Sequence, residues 1–303
     1  MNSLNLLRTA ILKPSLKCIP TTNLVTKRFR KPSVCAYLDY PDRRPVILLF
    51  FYLLGKARNR PINRSCFQCF NICNTKVMRG DQSTGPLITH FLYEHYWSRE
   101  PSVCSLWMHL DNDYIRVMTD KFAYTGDRFL AMRQTERTGE CKLIGVLVAN
   151  KIFPWEPREM EEWGDATPSV PERNRMYFYS HCYNKSNLWK KYNVDYIYEI
   201  EVLTTTLDVT SQGVATLLLK YALKEALLLR HPLIQLICTN SYVERVCERC
   251  GMTKEWSMKY ADFVDSFGQS IFYPRAPHLD CTIYIKKFDQ KEAAALPCLP
   301  EVW

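Results

Sequence analysis

The chain has 303 residues, 47% of them apolar, which is enough to build the core of one large domain or two small ones. Its formal charge of +9 is unevenly placed: residues 1–80 hold 15 Lys and Arg against 2 Asp and Glu, leaving 25 basic (40 less 15) against 29 acidic (31 less 2) in the remainder. The globular part is net acidic, which excludes nucleic acid as its partner on charge grounds.

The 13 cysteines are spread along the chain, and Cys141, Cys238 and Cys281 fall in apolar runs. That usage suits reduced, buried thiols in a cytoplasmic protein rather than a secreted disulfide framework. Cys66, Cys69 and Cys73 form one cluster and Cys247 and Cys250 a second, but the two are far apart and miss the spacings of a zinc site, so no metal is expected.

Residues 1–31 carry Arg8, Lys13, Lys17, Lys27, Arg28, Arg30 and Lys31 and no acid. They resemble a mitochondrial presequence and equally a basic tail. The run VILLFFYLL at 46–54 is too short for a bilayer span of about 20 residues, so no transmembrane span is expected. Residues 1–80 read as a basic extension, 81–290 as the globular domain and 291–303 as a tail.

Apolar spacing predicts helices over 86–98 and 111–123, the second capped by Asp111, then strands over 128–135 and 141–151 joined by a hairpin turn at Gly139. Residues 153–193 read as a lid or pocket wall with at most one helix, over 173–191. A central strand is expected at 196–203, a glycine-bearing turn at 207–213 and a helix at 213–229. A buried strand at 233–238 follows, then a short helix capped by Asn240 or Ser241, and strands at 252–260 and 279–286. The fold class is α/β (α+β): a single mixed, mostly antiparallel sheet flanked by helices.

The order strand, Gln-Gly-Val-Ala turn, helix, strand, Asn-capped helix, Gly-Met, strand resembles the GCN5-related N-acetyltransferase superfamily. The turn SQGVAT (211–216) is similar to its pyrophosphate loop, and Asn240 with VCERCGM (246–252) to its second signature. YWSREPS (96–102) resembles the Glu-Pro motif of insect-type arylalkylamine (dopamine) N-acetyltransferases. Thr210 stands where the family has Arg or Gln, Ser211 where it has Gly, and Cys247 where many members have a proton-donating Tyr.

The resemblance implies an acetyl-CoA-dependent transfer of acetyl to a primary amine, a small arylalkylamine, in a ternary complex. A helix start with unpaired amides is an anion site, so Gln212, Gly213, Val214, Ala215 and Thr216 are expected to hold the diphosphate of acetyl-CoA. Leu203, Thr204 and Thr205 would line its pantetheine arm. Asn240 would bind the cofactor or only cap its helix. Glu100 is the expected base, or else an ordinary helix-end acid, with Glu199 and Glu201 as alternatives on the central strand. Cys247 would act as acid or nucleophile, or pack in the core. Two competing readings are a protein N-acetyltransferase and an inactive acyl-CoA-binding module.

Overall fold

The computed structural model describes residues 74–134, 139–289 and 291. The presequence-like segment, the run at 46–54, the Cys66–Cys69–Cys73 cluster, the tip of the hairpin at 135–138 and residues 292–303 lie outside the described residues.

Seven strands form one mixed sheet: β1 (Thr75–Arg79), β2 (Asp127–Gln134), β3 (Cys141–Ile152), β4 (Ile197–Thr205), β5 (Leu233–Cys238), β6 (Thr253–Lys259) and β7 (Asp280–Lys287). Their order across the sheet is β1-β2-β3-β4-β5-β7-β6. Among the described residues only β4 and β5 pair in parallel. β1 falls within the stretch that the charge pattern assigned to the extension. Its five residues, TKVMR, include two cations and give too short an alternation to stand out.

The helices are α1 (Gly85–His95), α2 (Pro101–Ser105), α3 (Asp113–Tyr124), α4 (Glu156–Ala166), α5 (Val170–Ser186), α6 (Leu188–Tyr192), α7 (Val214–Leu228) and α8 (Ser241–Arg249). Proline opens α1, α2, α4 and α5, where its missing N–H costs nothing. Asn112, not Asp111, caps α3 by accepting from the Tyr114 amide at 2.8 Å. Either side chain caps equally well, so composition alone does not separate them.

The segment 153–193 holds three helices where one was expected. α5 buries Arg175, Met176, Phe178, Ser180, Cys182 and Tyr183, which are not confined to one stripe, so its sequence lacks the apolar period of a surface helix. Asn187 (φ 46°) ends it in the left-handed region, and α6 restarts beyond.

Both faces of the sheet are covered. One core packs Ile88, Leu92, Trp97, Ile115 and Phe178 against strand residues such as Val202 and Ile283. The other packs Val214, Leu218, Leu223 and Cys247 against Ile200, Leu236 and Tyr284. Each such aliphatic side chain contributes about 1.5–3 kcal/mol on burial. Gly145 on β3 lets α7 sit close: a Cβ there would stand 2.9 Å from Leu218 Cδ1.

Strand β4 is irregular on both edges. Val148 pairs with Val202 and Ala149 with Ile200, which leaves Glu201 as the extra residue of a bulge. On its other edge β4 pairs with β5 only at Tyr198–Ile234, Glu199–Gln235 and Ile200–Leu236.

Candidate active site

Beyond Ile200 and Leu236 the parallel strands part: β4 continues to Thr205 and β5 to Cys238 with no further pairing between them. A cavity of about 100 Å³ crosses this opening. Ile200, Leu203, Leu236 and Asn240 border it at the strands, and the rings of Tyr96, Tyr114, Phe122 and Trp163 wall it on the α1–α5 side.

The turn after β4 leads into α7. Ser211 (φ 63°) and Gly213 (φ 83°) are both left-handed, which glycine tolerates and serine does at a cost. The Thr210 hydroxyl donates to the Leu207 carbonyl at 2.7 Å and so closes the turn. Gln212 is also used internally: its amide donates to Val209 O at 3.1 Å and its side chain to Asp208 O at 2.9 Å. The donors left at the helix start are the amides of Val214, Ala215 and Thr216. They have no intrahelical partner by α-helical geometry, and no side chain caps them. The anion site predicted over 212–216 therefore narrows to its helical half.

Leu203 lines the cavity. Thr204 and Thr205 are tied to the end of α1: the Thr204 hydroxyl donates to His95 O at 2.8 Å, and Arg99 Nη2 donates to Thr205 O at 2.7 Å. The segment preceding Glu100 thus anchors α1 to the free end of β4.

Three carboxylates line the cavity: Glu156, Glu199 and Glu201. Glu199 is 3% exposed, and its Oε2 accepts from the Tyr183 hydroxyl at 2.5 Å. Burial, then the neighbouring Glu201, raise its pKa to about 8. Burial likewise raises Glu156, against the pull of Lys121, to about 7. Lys121 Nζ donates to Glu201 Oε1 at 2.6 Å. Burial disfavours the Lys121 charge, but Glu201, Glu156 and Glu199 together more than offset this and its pKa rises.

Glu100 does not line the cavity. It is 3% exposed and caps α2, its Oε2 accepting from Val103 N at 2.7 Å and Ser102 Oγ at 2.5 Å. Arg175 Nη2 lies 4.0 Å from the same oxygen. Arg175, which does line the cavity, also donates to Ser102 Oγ at 3.0 Å and to the hydroxyls of Tyr114 and Tyr179. Glu100 is therefore one side chain removed from the cavity, behind that guanidinium.

Cys247 is wholly buried in the α7–α8 core, its sulfur 3.6 Å from that of Cys238, and does not border the cavity. Asn240 does border it, and its Oδ1 accepts from Val243 N at 3.0 Å, so the capping reading holds at a cavity-lining position. Cys238 and Cys281 are buried thiols as expected, whereas Cys141, the first residue of β3, is exposed. Among the described residues no helix is long and apolar enough to cross a membrane.

Sequence reasoning missed Glu156, Lys121, Arg175 and Tyr183. Glu156 precedes a proline and reads as loop, yet the Glu-Pro pair marks the first turn of α4. The other three are single polar residues on helices, and only the tertiary fold turns them inward.

No family model and no curated protein matches the sequence. Solved structures do match. A mosquito arylalkylamine N-acetyltransferase like 5b superposes with a TM-score of 0.63 at 18% identity, over 70% of this chain and 99% of that one. Arylalkylamine N-acetyltransferase 2 from Aedes aegypti gives 0.62 at 19%, over 71% and 100%. The polyamine N-acetyltransferase of Drosophila melanogaster gives 0.59 at 18%, over 70% and 99%. The fold is that of the GCN5-related N-acetyltransferases.

Proposed function

We propose that the chain is an acetyl-CoA-dependent N-acetyltransferase that acts on a small primary amine by direct transfer in a ternary complex. The observation that carries this reading is the cavity crossing the parted strands β4 and β5, with a buried carboxylate on its wall and an uncapped helix start beyond the end of β4. The arylalkylamine and polyamine N-acetyltransferases that share its fold agree with it.

Acetyl-CoA supplies an acetyl group activated as a thioester. The residues present fit it: the amides of Val214 to Thr216 and the helix dipole favour the diphosphate. The edge of β4 at Leu203 to Thr205, unpaired with β5, takes the pantetheine arm as an added strand, and a main-chain N–H there polarises the carbonyl. Asn240 bounds the arm on the β5 side.

An alkylamine has a pKa of about 10 and arrives as an ammonium. Glu199 takes its proton, because it reaches the cavity and its raised pKa of about 8 makes it a matched base. The freed nitrogen attacks the carbonyl carbon, the C–S bond breaks, and the second proton shed by the nitrogen as it becomes an amide passes through water to the leaving thiolate. Glu100, expected as the base, instead orients Arg175 across the aromatic wall. Helices α4 and α5 wall one side of the cavity, which favours a small amine over a peptide.

The test incubates the full chain and acetyl-CoA with dopamine, tryptamine, a diamine and a Lys peptide, and detects N-acetyl products by mass spectrometry. Product from a small amine is expected. Product from the peptide alone would make this a protein acetyltransferase, and binding of acetyl-CoA without any product would make it a binding module.

A further inference from the structure

We propose that Gln235 is a positioning residue for Glu199: its buried carboxamide partners that carboxyl in both charge states, accepting from the acid and donating to the carboxylate. This rests on the function proposed above, in which Glu199 takes the proton of the amine.

Gln235 lies within β5 and is 0% exposed, and both its Oε1 and its Nε2 stand without a hydrogen-bond partner among the described residues. Packing does not explain it, because an apolar side chain would fill the same place without burying two unsatisfied polar groups. Its place in the sheet does. Gln235 pairs in register with Glu199 of β4. Tyr198, Ile200, Ile234 and Leu236, which flank the two, all pack in the core under α7. Alternation therefore turns Glu199 and Gln235 to the opposite face, where Tyr183 packs. Paired strands lie about 4.8 Å apart, so rotation of the Gln235 side chain brings its carboxamide within hydrogen-bonding reach of the Glu199 carboxyl. On its other edge Glu199 pairs with Asn150 of β3, but that carboxamide already donates to Glu201.

A base that cycles between acid and carboxylate needs an acceptor in one state and a donor in the other. The Tyr183 hydroxyl holds Glu199 Oε2 at 2.5 Å. A carboxamide offers both functions at one place: Oε1 accepts the acid's O–H, and a half-turn of the amide presents an Nε2–H to the carboxylate. The hydrogen bond to the charged form is the stronger of the two. Gln235 thus favours the carboxylate, against the burial and the Glu201 charge that raise the Glu199 pKa to about 8. The other groups facing Glu199 are Tyr183 from α5, Glu156 from α4 and Lys121 from α3, while β5 and β7 bring the uncharged Gln235 and Ile285.

The test labels the glutamate side-chain carboxyls of the full, ligand-free chain with carbon-13 and follows Glu199, assigned by its loss in Glu199→Gln, by NMR across the pH range. In Gln235→Met, which keeps the volume and removes both polar atoms, the Glu199 midpoint should rise by about one pH unit. In Ile285→Val, which trims the neighbour of Gln235 on β7, it should stay. In the unaltered chain the Gln235 side-chain amide protons should shift with the Glu199 midpoint, a reading that needs no variant to fold. A midpoint unmoved in Gln235→Met, an equal shift in Ile285→Val, or Gln235 amide protons indifferent to pH would each overturn the inference. None of these readings needs turnover, so a failure to acetylate any amine would remove the proposed activity while the titration still decides the pairing. In the active protein the acidic limb of kcat/KM should move with the midpoint; a midpoint that moves while the limb stays would support the pairing and remove Glu199 as the base.

Discussion

Glu199 is the residue on which the proton transfer depends. Its carboxyl lies on the cavity wall with a folded pKa of about 8, so kcat/KM for an amine should rise with pH through that value in the free protein. Replacing it with Gln removes the acceptor and keeps the shape: kcat/KM is expected to fall about 100-fold or more, with loss of that acidic limb. Glu100→Gln should keep the limb and lower stability by about 2 kcal/mol or more, because a buried cap and the partner of Arg175 are lost together. If the limb vanishes in Glu100→Gln and survives in Glu199→Gln, the assignment of the base is reversed. Cys247 is expected to matter for packing alone. Cys247→Ala should cost about 1 kcal/mol in denaturant unfolding, as for one buried methyl-sized group, and leave the pH profile of kcat in place.

At the scale of elements, the turn from β4 into α7 is the most legible part of the chain. A glycine between a strand and an amphipathic run announces both a left-handed turn and a helix start, and Gly213 has φ 83°. Gly213→Ala should cost about 1–2 kcal/mol in stability and weaken acetyl-CoA binding severalfold in a titration. Unchanged affinity would show that the turn's conformation is not what aims the amides. The sequence also located β5, whose bounds at 233–238 follow from a continuous apolar run buried on both faces. It missed α4, and it placed α5 but ran it together with α6 as one helix over 173–191, for the converse reason. Trp, Tyr and charge alternate there without a helical period, because these helices pack on several sides and bury Glu172, Arg175 and Ser180 along with apolar residues. The bulge at Glu201 was equally hidden, since it arises from register against β3 rather than from any residue type.

Across the whole molecule, the cavity's acids tie stability to pH. The folded pKa values of Glu199, about 8, and Glu156, about 7, lie above the ordinary carboxylate range. The folded chain therefore holds protons that the unfolded chain has lost, and stability falls as pH rises from about 5 to 8. The groups facing this pair are Lys121 from α3, Glu159 from α4, Tyr183 from α5 and Glu201 from β4, and all are included in that net direction. The melting temperature of the ligand-free protein should drop across this window, and the double variant Glu156→Gln, Glu199→Gln should flatten the drop; parallel curves would refute the linkage. The single mixed, mostly antiparallel sheet was implied by the order of elements, whereas its strand order and the acid cluster were not; the cluster assembles from β4 and the start of α4, about 40 residues apart in sequence. The most direct measurement is calorimetric titration of acetyl-CoA into the unaltered chain and into Ala215→Asp. A carboxylate in the first turn favours the helix dipole and repels a diphosphate. The account predicts one-to-one binding to the unaltered chain, and in the variant an affinity at least tenfold weaker with the melting temperature kept. Equal binding by both proteins, or none by the unaltered chain, would contradict it.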